Sequence, residues 1–223
     1  MCRENLRIEI LGAEQIRGAI CMGKLIVKTA AITLACIIAL ALILFGVFSL
    51  FFPSVMVAVT DKLGMEAASA SYSVSQYKKS GSIEDLSVAV KRSYAVGHYG
   101  DAADYGNILI NDEGFTAFCD AADAQMSPAE ELIMGNTAYY YIGITVASQY
   151  FVGSDVAIDT AFGALGDSFT ENNPVVFLVN AAKEREDKEF CGQVLERLNT
   201  LNPRAEDSKY FEDYKNALEE YCR

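Results

Sequence analysis

The sequence predicts an all-α protein, with one N-terminal transmembrane helix followed by an array of short antiparallel helices. Three observations predict it. Thr29 to Phe52 is a run of 24 residues without a charge. The rest of the chain divides into segments of ~12–20 residues with helical apolar spacing, punctuated by Gly, Asn, Asp and Pro. Strand signal is scarce, since Pro174 to Val179 (PVVFLV) is the only run of β-formers, and a buried helix explains it as well.

The apolar run follows Lys24 and Lys28 directly and stays free of charge as far as Thr60. About 20 apolar residues at a rise of 1.5 Å each cross a hydrocarbon core of ~30 Å, so the length suffices even with tilt. A cleaved signal peptide has a shorter apolar region and a small-x-small site just beyond it, whereas Ala68-Ser69-Ala70 lies well past this one. Cys36 sits inside the run, where a lipid anchor has no place, and Cys2 lacks a lipidation signature. The segment therefore reads as a signal-anchor that remains in the bilayer.

Charge sets the expected orientation. Residues 1–28 carry five basic and three acidic residues, a net of +2, and the remainder carries 13 basic and 27 acidic residues, a net of −14. Only Lys62 follows within 20 residues of Phe52, so the positive-inside rule places the N-terminus in the cytoplasm and the acidic part outside, as a single-pass protein of the cell membrane. The acidic balance also argues against nucleic acid as a partner, because affinity there comes from Lys and Arg on phosphates.

Taken in order, the expected domains are 1–28, a short cytoplasmic segment; 29–52, the transmembrane helix; 53–81, a juxtamembrane helix or linker; and 82–223, a helical domain. In the first, Leu6, Ile10, Ala13 and Ile16 fit either a short interfacial helix or a weakly ordered tail. Pro53 marks the end of the span by kinking or stopping it, and a helix is expected again over Ser54–Ser80, closed by Lys78-Lys79-Ser80-Gly81. Ser82 with Asp85 has the form of an N-cap, followed by Ile83, Leu86, Val90 and Tyr94 on one stripe. Gly97 to Gly100 turns the chain into a helix over 101–110, and another follows over 115–125. Ser127-Pro128 is expected to open a long helix through Tyr139-Tyr140-Tyr141 to about Phe151. Helices over 155–169, 174–185, 186–201 and 206–221 complete the series, with Asn172-Asn173-Pro174 and Asn202-Pro203 as stops.

Segments that read turn, small residue, apolar stripe, then Asn or Pro recur at 98–112, 153–174 and 188–203, each preceded by a candidate partner helix. Ala102, Ala157 and Cys191 occupy the early small position, Tyr99 precedes the first of them, and Leu109, Ala164 and Leu198 fall near the later packing position. Pro203 closes the third copy, Pro174 fits more loosely and Asp112 does not fit. Leu86 and Phe177 lead the preceding helices, with Ala181 or Ala182 as a small residue one turn on. Over about residues 82–203 this resembles the tetratricopeptide-repeat family. That resemblance implies an α-solenoid of stacked hairpins, a C-terminal capping helix over 206–223, and a protein or peptide partner held in a groove.

Catalytic motifs are nearly absent: there is no G-x-S-x-G, S-x-x-K, H-E-x-x-H or phosphate loop, and His98 is the only histidine. No motif for a cofactor, a metal or a small-molecule substrate stands out. The tetrapeptide DAAD occurs at 101–104 and 120–123, placing paired carboxylates on one helix face; these read as solvated surface, a weak cation site, or an acid and base pair. Cys119, Cys191 and Cys222 fall in the outer part. They read either as one disulfide, Cys191 with Cys222, plus a leftover thiol, or as three buried thiols.

Three consecutive tyrosines point about 100° apart on a helix, so Tyr139, Tyr140 and Tyr141 cannot all be buried on one stripe. With Tyr94, Lys91 and Arg92 they are the candidate groove residues, the cations to receive a carboxylate. The expectation is a non-catalytic interaction scaffold anchored in the lipid bilayer. Its alternatives are a carboxylate-dependent hydrolase of envelope polymer, or a structural membrane protein oligomerising through Ala31, Ala35 and Ala39.

Overall fold

A computed structural model describes residues 28–127, 136–165, 169–205 and 207–223, which are helical throughout, with no strand among them. The N-terminal segment, with its candidate interfacial helix, lies outside the described residues. Contacts group the chain into two units, 1–52 and 53–223.

In the first unit, α1 spans Lys28–Phe51 with a mean hydropathy of 2.9 and none of its most apolar window buried. By length and composition it is able to cross a membrane. The hydroxyls of Thr33 and Ser49 are satisfied within the helix, Thr33 Oγ1 donating to the Thr29 carbonyl at 2.9 Å and Ser49 Oγ to that of Phe45 at 2.8 Å, as a hydrocarbon surrounding requires.

The second unit holds ten helices among the described residues: α2 (Pro53–Lys62), α3 (Glu66–Ser80), α4 (Ile83–Ala95), α5 (Tyr99–Ile110), α6 (Phe115–Asp123), α7 (Thr137–Phe151), α8 (Ala157–Ala164), α9 (Pro174–Glu184), α10 (Lys188–Leu198) and α11 (Ser208–Cys222). Pro53 does interrupt the helix, and it also starts the next one, because its missing N–H costs nothing in a first turn. The single helix expected over 54–80 is instead two. Gly64, at φ 67°, turns the chain between α2 and α3, and the two pack on each other. A glycine inside an apolar pattern gives no sign by spacing alone that it will adopt the left-handed region.

Caps account for most other boundaries. Gly81, at φ 67°, closes α3 by donating its N–H to the Tyr77 carbonyl at 2.8 Å. Ser82 Oγ accepts from the Asp85 N–H at 3.2 Å to open α4, and the Asp85 carboxylate in turn accepts from Gln76 at 2.6 Å and Ser80 at 2.5 Å. Asn173 Oδ1 accepts from the Val175 and Val176 N–H groups, with Pro174 as the first helical residue of α9, so PVVFLV is a buried helix. For α7 the cap is Asn136, which accepts from the Tyr139 N–H at 3.1 Å; the opening expected at Ser127-Pro128 falls mainly on residues 128–135, outside the described ones.

Connections of a few residues make neighbouring helices antiparallel. The packing runs α2 on α3, α3 on α4, α4 on α5, α5 on α7, α7 on α8 and α9, α8 on α9, α9 on α10, and α10 on α11, with α6 against α4 and α7. Residues 53–81 thus form a packed hairpin within the second unit. Ala102, Ala157, Cys191, Leu109, Leu198, Leu86 and Ala182 are all buried.

The centre is α7. It carries no charged residue, ten of its 15 residues are buried, and it contributes Tyr141 and Ile144 to one core cluster and Val146, Ala147 and Tyr150 to the other. Two glycines set how closely its neighbours approach. A Cβ on Gly106 of α5 would lie 2.3 Å from Thr145 Oγ1, and one on Gly143 would lie 2.5 Å from the Phe177 ring of α9. Gly192 of α10 faces open space. Gly143→Ala is therefore expected to destabilise by about 1–3 kcal/mol through overpacking, while Gly192→Ala stabilises by about 0.5–1 kcal/mol through helix propensity alone. Thermal melts of the two variants in detergent check the opposite signs.

Candidate functional site

The six residues singled out from sequence divide between two tasks. Arg92, on α4, is already occupied. Its guanidinium grips Asp61 of α2 in a bidentate pair, at 2.5 Å to Oδ1 and 2.8 Å to Oδ2, and also bonds the hydroxyl of Ser69 on α3. Ser69 Oγ donates to Asp61 Oδ1 at 2.5 Å, which closes the triad. The carboxylate that Arg92 receives belongs to its own chain. Its partner lies 31 positions away, beyond the reach of a local pattern. Hydrogen bonds from Arg92 and Ser69 hold the Asp61 carboxyl at about 2, well below its ordinary 3.8.

Tyr139 and Tyr141 are likewise committed. Tyr139 donates its hydroxyl to the Leu165 carbonyl at 3.0 Å. Tyr141 is 8% exposed, lies 5.9 Å from the Phe118 ring, and hydrogen-bonds Ser87. Burial raises both phenols above their usual value, opposed in Tyr141 by the bond to Ser87.

The remaining three come together. Lys91 and Tyr94 lie one turn apart on α4, Lys91 Nζ stands 6.0 Å from the centroid of the Tyr140 ring, and Tyr140 meets the Phe177 ring of α9 edge-on at 6.2 Å. Tyr94, Tyr140 and Phe177 are half-buried and Lys91 is exposed. The row therefore crosses α4, α7 and α9. Burial, and then the neighbouring Tyr141 and Tyr94 hydroxyls, push the Tyr140 phenol up to about 12, so it remains a neutral donor at any physiological pH.

A concavity of about 500 Å³ opens elsewhere, at the C-terminal ends of α7 and α9 and the start of α10, lined by Tyr150, Gly153, Ser154, Arg185, Asp187 and Phe190. Arg185 donates to the Phe151 carbonyl at 3.0 Å, and its guanidinium lies over the Phe151 and Tyr150 rings at 4.8 and 5.6 Å. Tyr99 stacks on Phe151 at 4.0 Å. Tyr150 donates to Asp187 Oδ2 at 2.9 Å, while Oδ1 of the same carboxylate caps α10 by accepting from the Phe190 N–H at 3.0 Å. Burial first, then the bond to Asp187, lifts the Tyr150 phenol to about 12. Sequence reading missed this cluster because Tyr150 and Asp187 are 37 positions apart; the available signal was Arg-Glu-Asp in a three-residue turn between two helices.

Of the paired acids, Asp101, Asp104 and Asp120 are exposed, and Asp123 accepts from both the N–H and the hydroxyl of Thr137, at 3.0 Å for the N–H. Among the described residues no group of three His, Cys, Asp or Glu side chains is arranged to hold a metal ion. Cys36, Cys119, Cys191 and Cys222 are free thiols. Of the two readings left open for the outer cysteines, a Cys191–Cys222 disulfide or separate thiols, the structure holds separate thiols, with Cys222 packed on the cluster that contains Cys191. Burial, and then the Cys222 thiol, raises Cys191 to about 11, which keeps it in the unreactive thiol form. Cys119 is 3% exposed and is pushed to about 12 by burial, then by Asp123 and Asp120. Comparisons with family models, with curated proteins and with solved structures find no match to the chain.

Two measurements test these assignments. A folded-state carboxyl depressed below its unfolded value stabilises fully above about pH 4, and that contribution is lost as pH falls through the folded value near 2. Asp61→Asn is expected to melt lower than the parent at neutral pH, with the gap closing as pH drops from 4 toward 2. At the second cluster, Asp187→Ala loses both the helix cap and the Tyr150 acceptor, about 1–3 kcal/mol. Asp187→Asn retains the cap and loses less in chemical denaturation.

Proposed function

We propose that this chain is a membrane-anchored, non-catalytic adaptor, with α1 as a single span, the N-terminus in the cytoplasm and the helical unit on the extracytoplasmic side. In this reading the hairpins α2/α3, α4/α5, α7/α8 and α9/α10 stack as a tetratricopeptide-like array ended by α11. The first helices of three successive hairpins, α4, α7 and α9, then hold a segment of a protein partner. The observation that carries the reading is the half-exposed row Lys91, Tyr94, Tyr140 and Phe177 on those three helices. Aromatic faces with polar tips give large contact area at low entropic cost, and Lys91 supplies one charge for a carboxylate.

Orientation is supported by Lys24 and Lys28 before the span, against Lys62 alone in the 20 residues after Phe52. Because Cys119 is buried, an impermeant maleimide needs an exposed site, and Glu113→Cys provides one. Labelling of this variant in intact cells is expected; labelling only after lysis reverses the topology. For the groove, a photoreactive phenylalanine at position 91 or 140 is expected to yield one discrete adduct in intact membranes. The same group at Thr116, exposed on α6, is expected to yield none. Equal adducts from all three positions, or none from any, would refute the docking face.

A further inference from the structure

The exposed apolar side chains of the second unit are unevenly placed. Of its eight large exposed hydrophobics among the described residues, Val88, Ile108, Val152 and Val156 are scattered over the unit, whereas Val55, Val59, Leu63 and Met65 fall within 11 consecutive residues. Scattered ones are ordinary; a cluster calls for a cover. On α2 they are sorted by face. Pro53, Met56 and Thr60 are buried, and the opposite side presents Val55, Ala58, Val59 and Lys62 to the exterior. Leu63, at 67% exposure, and Met65, at 50%, extend that side through the turn.

Charge is sorted in the same sense. Residues 53–92 carry five basic and four acidic residues, a net of +1, while 93–223 carry eight basic and 23 acidic residues, a net of −15. Two acids adjoin the apolar face: Glu66, exposed beside Met65 in the first turn of α3, and Asp61, which is paired with Arg92 and accepts from Ser69. That triad also fixes the rotation of α2 relative to α3 and α4, which keeps its apolar side outward.

We propose that the Val55, Ala58, Val59 and Lys62 face of α2, together with Leu63 and Met65, is a lipid-contact surface that seats the helical unit on the bilayer. The occupant follows from continuity and charge. The chain reaches α2 one residue after α1 ends, through Leu50, Phe51 and Phe52, all at least half exposed. A surface of valine and leucine edged by one lysine suits the boundary between acyl chains and headgroups, with the Lys62 stem among the chains and its ammonium at phosphate level. The strongly acidic remainder is repelled from anionic lipid, so this near-neutral edge is the one that turns toward the membrane. The inference rests on α1 being a membrane span.

The chain contains no tryptophan, so single-tryptophan variants of the full-length protein report without background. Val59→Trp, Leu63→Trp, Val88→Trp, Ile108→Trp and Leu44→Trp are reconstituted into phosphatidylcholine vesicles without bromine, with bromine on the acyl chain near the headgroup, or with bromine deep in the chain. Circular dichroism verifies that each retains its helix. Leu44→Trp, within the span, is expected to be quenched strongly by lipid brominated deep in the chain. Val59→Trp and Leu63→Trp are expected to be quenched by the shallow bromines several-fold more than Val88→Trp and Ile108→Trp. Equal, weak quenching at all four outer positions with Leu44→Trp quenched overturns the lipid surface and leaves the span intact. Blue-shifted emission at 59 and 63 without bromine quenching assigns the face to protein, such as a second copy, and also overturns it. An unquenched Leu44→Trp removes the span and the surface together.

Discussion

The second unit depends on one helix being buried on nearly every side. α7 presents no charge to water and packs against α4, α5, α6, α8 and α9, so the two hydrophobic clusters meet on it and neither is complete without it. A helix apolar all round has no solvent face to give up, and its polar groups must be satisfied locally. Thr145 and Ser148 do this by donating to the Tyr141 and Ile144 carbonyls, each at 2.7 Å. Close packing then needs room for backbone. Gly143 on α7 and Gly106 on α5 supply it at the expense of helix propensity, and Thr145 and Phe177 fill the space that a Cβ would have taken.

What the apolar core does in the middle, a charged triad does at the edge. α2 buries only Pro53, Met56 and Thr60, too little apolar area to fix a ten-residue helix by itself. The Asp61–Arg92 pair is a third to two-fifths exposed, a setting in which isolated ion pairs contribute little. Here the geometry is bidentate and a buried serine shares both partners, so the contact is directional as well as attractive. It fixes a rotation that hydrophobic contact would leave loose. The same residues thus decide which side of α2 faces outward.

Local chemistry was legible in the sequence wherever a few adjacent residues decide the outcome. Ser82 with Asp85, Gly81 after two lysines, and Asn173 before Pro174 carry their own boundaries, because cap and capped N–H lie within three or four residues. The all-helical character and the apolar α1 followed from periodicity and composition. Contacts set by tertiary approach were not legible. Nothing beside Arg92 reveals Asp61, and nothing beside Tyr150 reveals Asp187. The left-handed Gly64 sits in a stretch whose spacing fits one continuous helix. Three consecutive tyrosines cannot all be buried on one stripe, but which one faces outward depends on where α4 and α9 lie against α7.

In the proposed adaptor those tyrosines also limit what a partner segment can offer. The hydroxyls of Tyr139, Tyr141 and Tyr150 are committed to Leu165, Ser87 and Asp187, so their rings serve the interior and their polar tips are not available. Tyr94 and Tyr140 have no such bond among the described residues, and both are raised above the ordinary phenol value, chiefly by burial. Each therefore stays protonated and is able to donate. Lys91 adds the charge beside them. The face holds two neutral donors, one cation and aromatic edges, with the Glu184 carboxylate of α9 near enough to raise Tyr94, so in the proposed adaptor a fitting segment brings backbone carbonyls for the phenols, an acidic side chain or terminus for Lys91, and an apolar side chain for the corner of Tyr140 and Phe177. Glu184 beside Tyr94 disfavours a segment of net negative charge there. In the proposed adaptor this face takes a segment with one well-placed carboxylate rather than a generally acidic one.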